Sequence, residues 1–237
     1  MKISDLNFPD NVTVKAFESR EALTDALATE LQSQLGSALS NKGKAGIAFS
    51  GGRTPIPLFE ALSEASLDWP KVNTLLVDDR WLEESHKDSN EGLIKRTLLT
   101  NKAKDAVFTG FYQAGKTGKE SEQAINEAFA HLSDEALDVV ILGMGNDGHT
   151  ASLFPCADNT EAALNSTDDF VAVQPTTAPY ERMSMTPKRI LNSELLILHS
   201  CGEDKLETLA KALADTDVLD MPIRLFLKHP ITLYWAP

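Results

Sequence analysis

The stretch Gly143-Met-Gly-Asn-Asp-Gly-His-Thr150 sets an imidazole two residues after a carboxylate, in a run whose glycines permit a tight turn. A histidine beside an aspartate can take a proton from water as a general base, with the carboxylate fixing its tautomer and orientation. A lone histidine is commonly a satisfied structural residue, and an aspartate a turn former. What decides for chemistry in His149 and Asp147 is position: they follow the most apolar run of the chain, Asp138-Val-Val-Ile-Leu142. The Gly143-Met-Gly145 spacing does not continue as a dinucleotide fingerprint, because Gly148 is followed by His149 instead of an apolar helix start.

Three further segments stand in the same relation to an apolar run. Ser50-Gly-Gly-Arg-Thr-Pro55 follows Ala45–Phe49. Gly51 and Gly52 let backbone N–H groups approach a ligand, Ser50 and Thr54 add hydroxyls, and a helix opening near Pro55 points its N-terminus at the same spot. That loop suits a phosphate, and Arg53 favours an anion over an ordinary βα turn; the Gly-Lys-Ser/Thr ending of a nucleotide loop is missing. Asp78-Asp-Arg80 follows Val72–Val77, where an arginine can hold an oxyanion and an aspartate can orient it or bind sugar hydroxyls. Ser200-Cys-Gly-Glu-Asp-Lys205 follows Glu194–His199. Arg182 and Lys205, each by itself a surface charge, complete a positive pocket with Arg53 and Arg80. No spacing resembles a zinc or octahedral metal site, and no metal is expected. His86, His131, His199 and His229 lack comparable neighbours and are read as structural or solvated.

The elements that must position these groups alternate along the chain. Val12–Phe17 reads as a strand. Leu23, Leu27, Leu31, Leu35 and Leu39, four apart, mark an amphipathic helix ended by Asn41-Lys-Gly43. Strand Ala45–Phe49, helix Ile56–Ala65, strand Val72–Val77 and helix Ser89–Leu99 follow. Helix Lys119–Leu132 and strand Asp138–Leu142 come next, then Phe170–Val173, Glu194–His199, helix Asp204–Ala214 and Ile231–Trp235. Strands without polar alternation are parallel strands covered on both faces. The pattern predicts one α/β domain over 1–237: a doubly wound, mostly parallel, Rossmann-like three-layer sheet. In such sheets ligands bind beyond the carboxyl ends of the strands, where all four unusual segments fall. Pro155–Asp169 reads as an excursion within that domain.

Composition bounds the partners. The chain has 237 residues, 42% of them hydrophobic, and 22 Lys+Arg against 35 Asp+Glu give a net charge of −13. That excludes a disordered chain and argues against nucleic acid or an anionic membrane, though a small anion responds only to the local field. Cys156 and Cys201 form no CxxC pair, and no signal peptide or membrane span is evident. The expectation is a cytoplasmic protein, a monomer or weak homo-oligomer.

At these residues the sequence resembles the 6-phosphogluconolactonases, a branch of the fold shared with glucosamine-6-phosphate deaminases. The matching pieces are Phe49-Ser-Gly-Gly-Arg-Thr-Pro55, Val77-Asp-Asp-Arg-Trp81 with Ser89-Asn90, and Leu142-Gly-Met-Gly-Asn-Asp-Gly-His-Thr-Ala-Ser-Leu-Phe-Pro155. Further along come Arg182-Met-Ser-Met-Thr186, Asn192, Gly202-Glu-Asp-Lys205 and Pro222. The resemblance implies hydrolysis of 6-phospho-D-glucono-1,5-lactone to 6-phosphogluconate, in the oxidative pentose phosphate pathway, with no cofactor. His149 would be the base and Arg80 the group that holds the substrate or its oxyanion. Asp78 and Asp147 would orient these groups and the sugar hydroxyls. Ser50, Gly51, Gly52, Arg53, Thr54, Asn90, Arg182 and Lys205 would bind the phosphorylated lactone.

The chain departs from the family pattern in places. Asp79 stands where Glu is frequent and Arg53 where Ser is frequent. Thr176-Thr-Ala-Pro-Tyr-Glu181 has no lysine where many members carry one, a lysine that Arg53 would replace. Two other readings compete. A glucosamine-6-phosphate deaminase or isomerase would need a carboxylate where this chain has Ser152-Leu-Phe-Pro155, and usually has Tyr where Arg80 stands. A silent sugar-phosphate-binding protein would need no base beside an oxyanion donor.

Overall fold

The computed structural model describes residues 1–237. Strand β1 (Val12–Ala16) leads into helix α1 (Arg20–Lys42), which begins where Ser19 Oγ accepts the Ala22 N–H at 3.2 Å. It ends where Gly43, at φ 74, turns its N–H back to the Leu39 carbonyl. Leu23, Leu27, Leu31 and Leu35 are fully buried, each contributing about 2 kcal/mol of transfer free energy. Then follow β2 (Ala45–Phe49), α2 (Ile56–Ser63), β3 (Val72–Leu76), β4 (Asp78–Arg80), α3 (Asn90–Thr97), β5 (Val107–Phe108), α4 (Gly118–Phe129) and β6 (Leu137–Leu142). The remainder is α5 (Thr160–Leu164), β7 (Phe170–Val173), β8 (Arg182–Met185), α6 (Pro187–Leu191), β9 (Ser193–Cys201), α7 (Asp204–Leu213), α8 (Ile223–Phe226) and β10 (Ile231–Ala236).

Seven strands form one sheet in the order β1-β10-β9-β6-β2-β3-β5. Every adjacent pair is parallel. All six residues of β6 are buried, so helices cover both faces, as the apolar run required. The chain winds outward from the centre in both directions, and the reversal lies between β2 and β6, with Ile47 opposite Val139 and Phe49 opposite Ile141. That is the switch point at which open α/β sheets bind ligands. The buried apolar side chains form one connected core from Val12 to Ala236.

One part of the architecture differs from the sequence reading. Asp78–Arg80, expected as a loop, is a strand of a second, antiparallel sheet ordered β4-β8-β7. Asp78 pairs with Ser184, Arg80 with Arg182, and Phe170 with Met185. Phe170–Val173, expected in the alternating series, belongs here too. Val77 is the junction: its N–H bonds the Phe49 carbonyl of the main sheet and its carbonyl accepts the Met185 N–H, both within 2.9 Å. Past β2's last residue the main sheet offers no further partner, and the chain pairs with β8 instead. The Pro155–Asp169 stretch contains α5 and is not a plain loop.

Candidate active site

The two loops at the switch point are tied together. After β2, Ser50 Oγ accepts the Gly143 N–H that follows β6, at 3.2 Å. After Gly143 the chain turns tightly: Thr150 Oγ1 bonds the Gly143 carbonyl at 2.7 Å, and Gly145 N–H bonds the His149 carbonyl at 2.9 Å. Gly148 sits at φ 78 and Ala151 at φ 51, so the chain doubles back sharply on both sides of His149.

That turn presents the imidazole in a fixed pose. Asp147 Oδ1 lies 2.6 Å from His149 Nδ1 and also accepts the His149 backbone N–H at 3.1 Å. Burial raises the proton affinity of Asp147, but the hydrogen bond and charge of His149 outweigh it and hold the carboxyl below its ordinary range. An ionised Asp147 accepts Nδ1–H, which leaves the lone pair on Nε2. The ring stacks on Phe154 with centroids 4.1 Å apart, and Gly145 lies so close that a Cβ there would come within 2.2 Å of it. The side chain keeps 29% of its surface exposed, enough for a water to reach it.

Arg80, at the end of β4, lines the same cleft as His149. Its Nη1 donates to Asn90 Oδ1 at 2.8 Å and to the Asp88 carbonyl at 3.0 Å. Asn90 in turn donates Nδ2–H to the Asp78 carbonyl at 2.9 Å, and it packs so tightly on Gly51 that a Cβ at Gly51 would meet Oδ1 at 2.0 Å. Asp78 is buried, and its Oδ2 accepts from Ser152 Oγ at 2.6 Å.

Beside Asp78, Asp79 fixes the backbone of Arg80 and Asn90. Its Oδ1 accepts the backbone N–H of Arg80 and of Asn90, both at 2.7 Å, and its Oδ2 accepts that of Glu91 at 2.8 Å. Asp79 thereby caps α3 and ties it to β4. Burial pushes its proton affinity up and the neighbouring Asp78 adds to this; the backbone N–H groups pull the other way, and the carboxyl settles at about 7.

The cations expected to gather do line one cleft of about 210 Å³, with Ser50–Thr54, Asp78, Asn90 and His149. Arg53 is exposed at its mouth. Lys205, from the first turn of α7, bonds Asn146 Oδ1. Arg182 is no surface charge: it is 7% exposed, its guanidinium lies 5.4 Å from the Phe154 ring, and desolvation lowers its proton affinity. Asp147, by contrast, touches the cleft only through His149. Ser200 and Cys201, from the fourth segment, also form its wall, and with them His199, which the sequence did not single out. Of the two readings, structural or solvated, His199 takes the buried one; burial holds its proton affinity down to about 4, so it is neutral at pH 7. The Ser200 hydroxyl and Arg182 Nε are buried and unpartnered within the chain. An unpaired buried donor costs about 1–3 kcal/mol, a cost relieved when a ligand brings the acceptor. No three His, Cys, Asp or Glu side chains converge as metal ligands would. Nor is any helix long and apolar enough to cross a membrane.

The chemistry available is a base fixed by a carboxylate and an arginine held by an amide, both lining one small cationic cleft. Comparison with known proteins agrees in kind. The model of the family described as glucosamine-6-phosphate isomerases/6-phosphogluconolactonase matches residues 18–235. A 6-phosphogluconolactonase of Pseudomonas putida is 40% identical, over 100% of this chain and 98% of its own. One from Neisseria meningitidis serogroup B is also 40% identical, over 90% of this chain and 91% of its own. The crystal structure of a 6-phosphogluconolactonase from Shewanella baltica superposes with a TM-score of 0.94 at 40% identity, covering 98% of this chain and 100% of that one. A monomeric glucosamine-6-phosphate deaminase superposes at 0.78 with 17% identity, which shows a common fold alone.

Proposed function

The chain belongs to the glucosamine-6-phosphate isomerase/6-phosphogluconolactonase family, and we propose that it hydrolyses 6-phospho-D-glucono-1,5-lactone to 6-phosphogluconate, as one domain and without a cofactor. The observation that carries this reading is the 2.6 Å Asp147–His149 pair in a cleft that Arg80 also lines. A lactone is an activated ester, for which a positioned water and a base suffice.

In the proposed mechanism His149 Nε2 takes a proton from water as the oxygen adds to C1 of the lactone. The carbonyl π electrons move to the exocyclic oxygen, and Arg80 stabilises the alkoxide that forms. As the carbonyl reforms, the bond from C1 to the ring oxygen breaks, and His149 returns its proton to that oxygen. Asp147 stabilises the imidazolium between the two transfers and keeps Nε2 facing the substrate. The Ser50–Thr54 loop, at the N-terminus of α2, and Lys205, Arg182 and Arg53 bind the 6-phosphate. Asp78 and Asn90 face the sugar hydroxyls.

Deamination of glucosamine 6-phosphate is disfavoured by the residues after His149. Ser152, Leu153 and Phe154 are buried, with Ser152 bound to Asp78, and no carboxylate stands where ring opening would need one. The deciding assay generates the lactone in situ from glucose 6-phosphate and follows acid release by wild type, His149→Ala and buffer. Wild type is expected to exceed the spontaneous rate clearly and His149→Ala to fall to it. Equal rates for the two proteins, or ammonia release from glucosamine 6-phosphate, would sink this reading.

A further inference from the structure

The cleft does not end at the glycine loop. Beyond Thr54 it opens into a second cavity of about 350 Å³, reached from the start of α1 as well as from α2 and β9. Arg20 and Arg53 line it and no carboxylate does. In a chain of net charge −13 this is unusual. Lys15, Lys42, Lys44, Lys71, Lys95 and Lys188 are each paired with an Asp or Glu side chain. Arg20 instead donates Nε–H to a main-chain oxygen of Pro237, the last residue of the sequence, at 3.0 Å, and no hydrogen bond occupies its terminal nitrogens. Two guanidiniums with unoccupied terminal nitrogens line this one small cavity, and an anion between them would accept hydrogen bonds from both.

We propose that this cavity is a second oxyanion site, which takes inorganic phosphate or the phosphoryl group of a small metabolite between Arg20 and Arg53. Thr24 and Thr54 bring hydroxyls from α1 and from the glycine loop. Two guanidinium forks and two hydroxyls supply more donors than the two oxygens of a carboxylate can accept, whereas a tetrahedral phosphate meets them from several directions. His199, neutral through burial, closes the inner wall without adding charge.

The site adjoins the substrate cleft and shares Arg53, Thr54, His199 and Cys201 with it, while Arg20, Thr24 and Pro57 belong to it alone. One Arg53 guanidinium serves one anion fully at a time. Occupancy of either site therefore weakens the other, and the coupling is reciprocal. Phosphate would restrain the enzyme from outside its own substrate cleft.

Calorimetric titration of inorganic phosphate into the full chain tests this, with wild type, Arg20→Ala and Lys205→Ala compared. Wild type is expected to bind two phosphates. Arg20→Ala should lose one of them, by tenfold or more in Kd, and keep the other. Lys205→Ala should keep the Arg20-dependent phosphate while the cleft phosphate weakens. A single phosphate on wild type, or unchanged isotherms for Arg20→Ala, overturns the proposal; so does loss of both phosphates in Lys205→Ala, which would mean one shared site. The titration involves no turnover, so it decides the second site even if the lactone proves not to be the substrate.

Discussion

His149 Nδ1 and Asp147 Oδ1 stand 2.6 Å apart, and the same oxygen also holds the His149 backbone N–H. One carboxylate therefore fixes both the turn and the tautomer. In Asp147→Asn an amide N–H₂ can replace the acceptor and drive the proton onto the wrong nitrogen. We expect kcat to fall by about 10²–10⁴-fold with KM changed little, because the loss falls on proton transfer and not on binding. Steady-state kinetics against the spontaneous rate measures it. A variant within threefold of wild type would remove Asp147 from the mechanism.

Asp79 is buried and does not line the cleft, yet the backbone of Arg80 and of Asn90 depends on it. Asp79→Asn places an amide nitrogen among backbone N–H donors and cannot satisfy all of them. The expected result is a fall in kcat of roughly tenfold or more and a loss of about 1–3 kcal/mol of stability. Asp78→Asn, which leaves the cap of α3 intact, should lose activity without a comparable shift in urea midpoint. Equal midpoint shifts for the two variants would contradict the division of roles.

Gly145 and Gly51 test the two halves of the site separately. A methyl at Gly145 would meet the His149 ring at 2.2 Å, and one at Gly51 would meet Asn90 at 2.0 Å. Gly145→Ala should therefore lower kcat by displacing the base, by about 10²-fold for a misplacement near 1 Å. Gly51→Ala displaces the Asn90–Arg80 pair and the phosphate loop together, so KM should rise as well. Crystal structures of the variants would show which side chain moved, and an unmoved imidazole in Gly145→Ala with reduced kcat would count against this account.

The parallel sheet and its ligand edge were readable because they rest on strong local signals. Val139–Leu142 lacks polar alternation, and the glycine-rich loops stand directly after such runs. The second sheet carried no comparable signal. Asp78–Arg80 is three charged residues with no apolar face, and its partner β8 buries an arginine in Arg182-Met-Ser-Met185. Asp79 escaped for a related reason: its partners are backbone N–H groups of residues 80, 90 and 91, which leave no side-chain pattern in a sequence. His199 lacked a carboxylate neighbour along the chain, and only the placement of β9 next to β6 in the sheet brings it to the cleft. Position at the strand end, one residue before Ser200, was the signal available.

The buried His199 also sets an expectation for stability. Its proton affinity is held down to about 4 in the folded chain against 6.5 when exposed, so between those values the unfolded chain binds a proton that the folded chain refuses. Its neutral burial therefore costs nothing above pH 6.5, and acidification towards pH 4 removes roughly 3 kcal/mol of stability. Asp79 acts with the opposite sign. Its folded value of about 7 lies above the ordinary 3.8, so the folded chain takes up that proton first and gains stability as pH falls through the same interval. The two trends oppose, and the wild-type curve by itself would conceal both. Urea unfolding of wild type and His199→Leu at pH 7.5 and pH 4.5 separates them. Relative to wild type, His199→Leu should become more stable by roughly 2–3 kcal/mol on going to the lower pH, since only wild type must protonate the imidazole on unfolding. A difference that does not change with pH would mean that His199 gains its proton inside the folded protein as readily as in water.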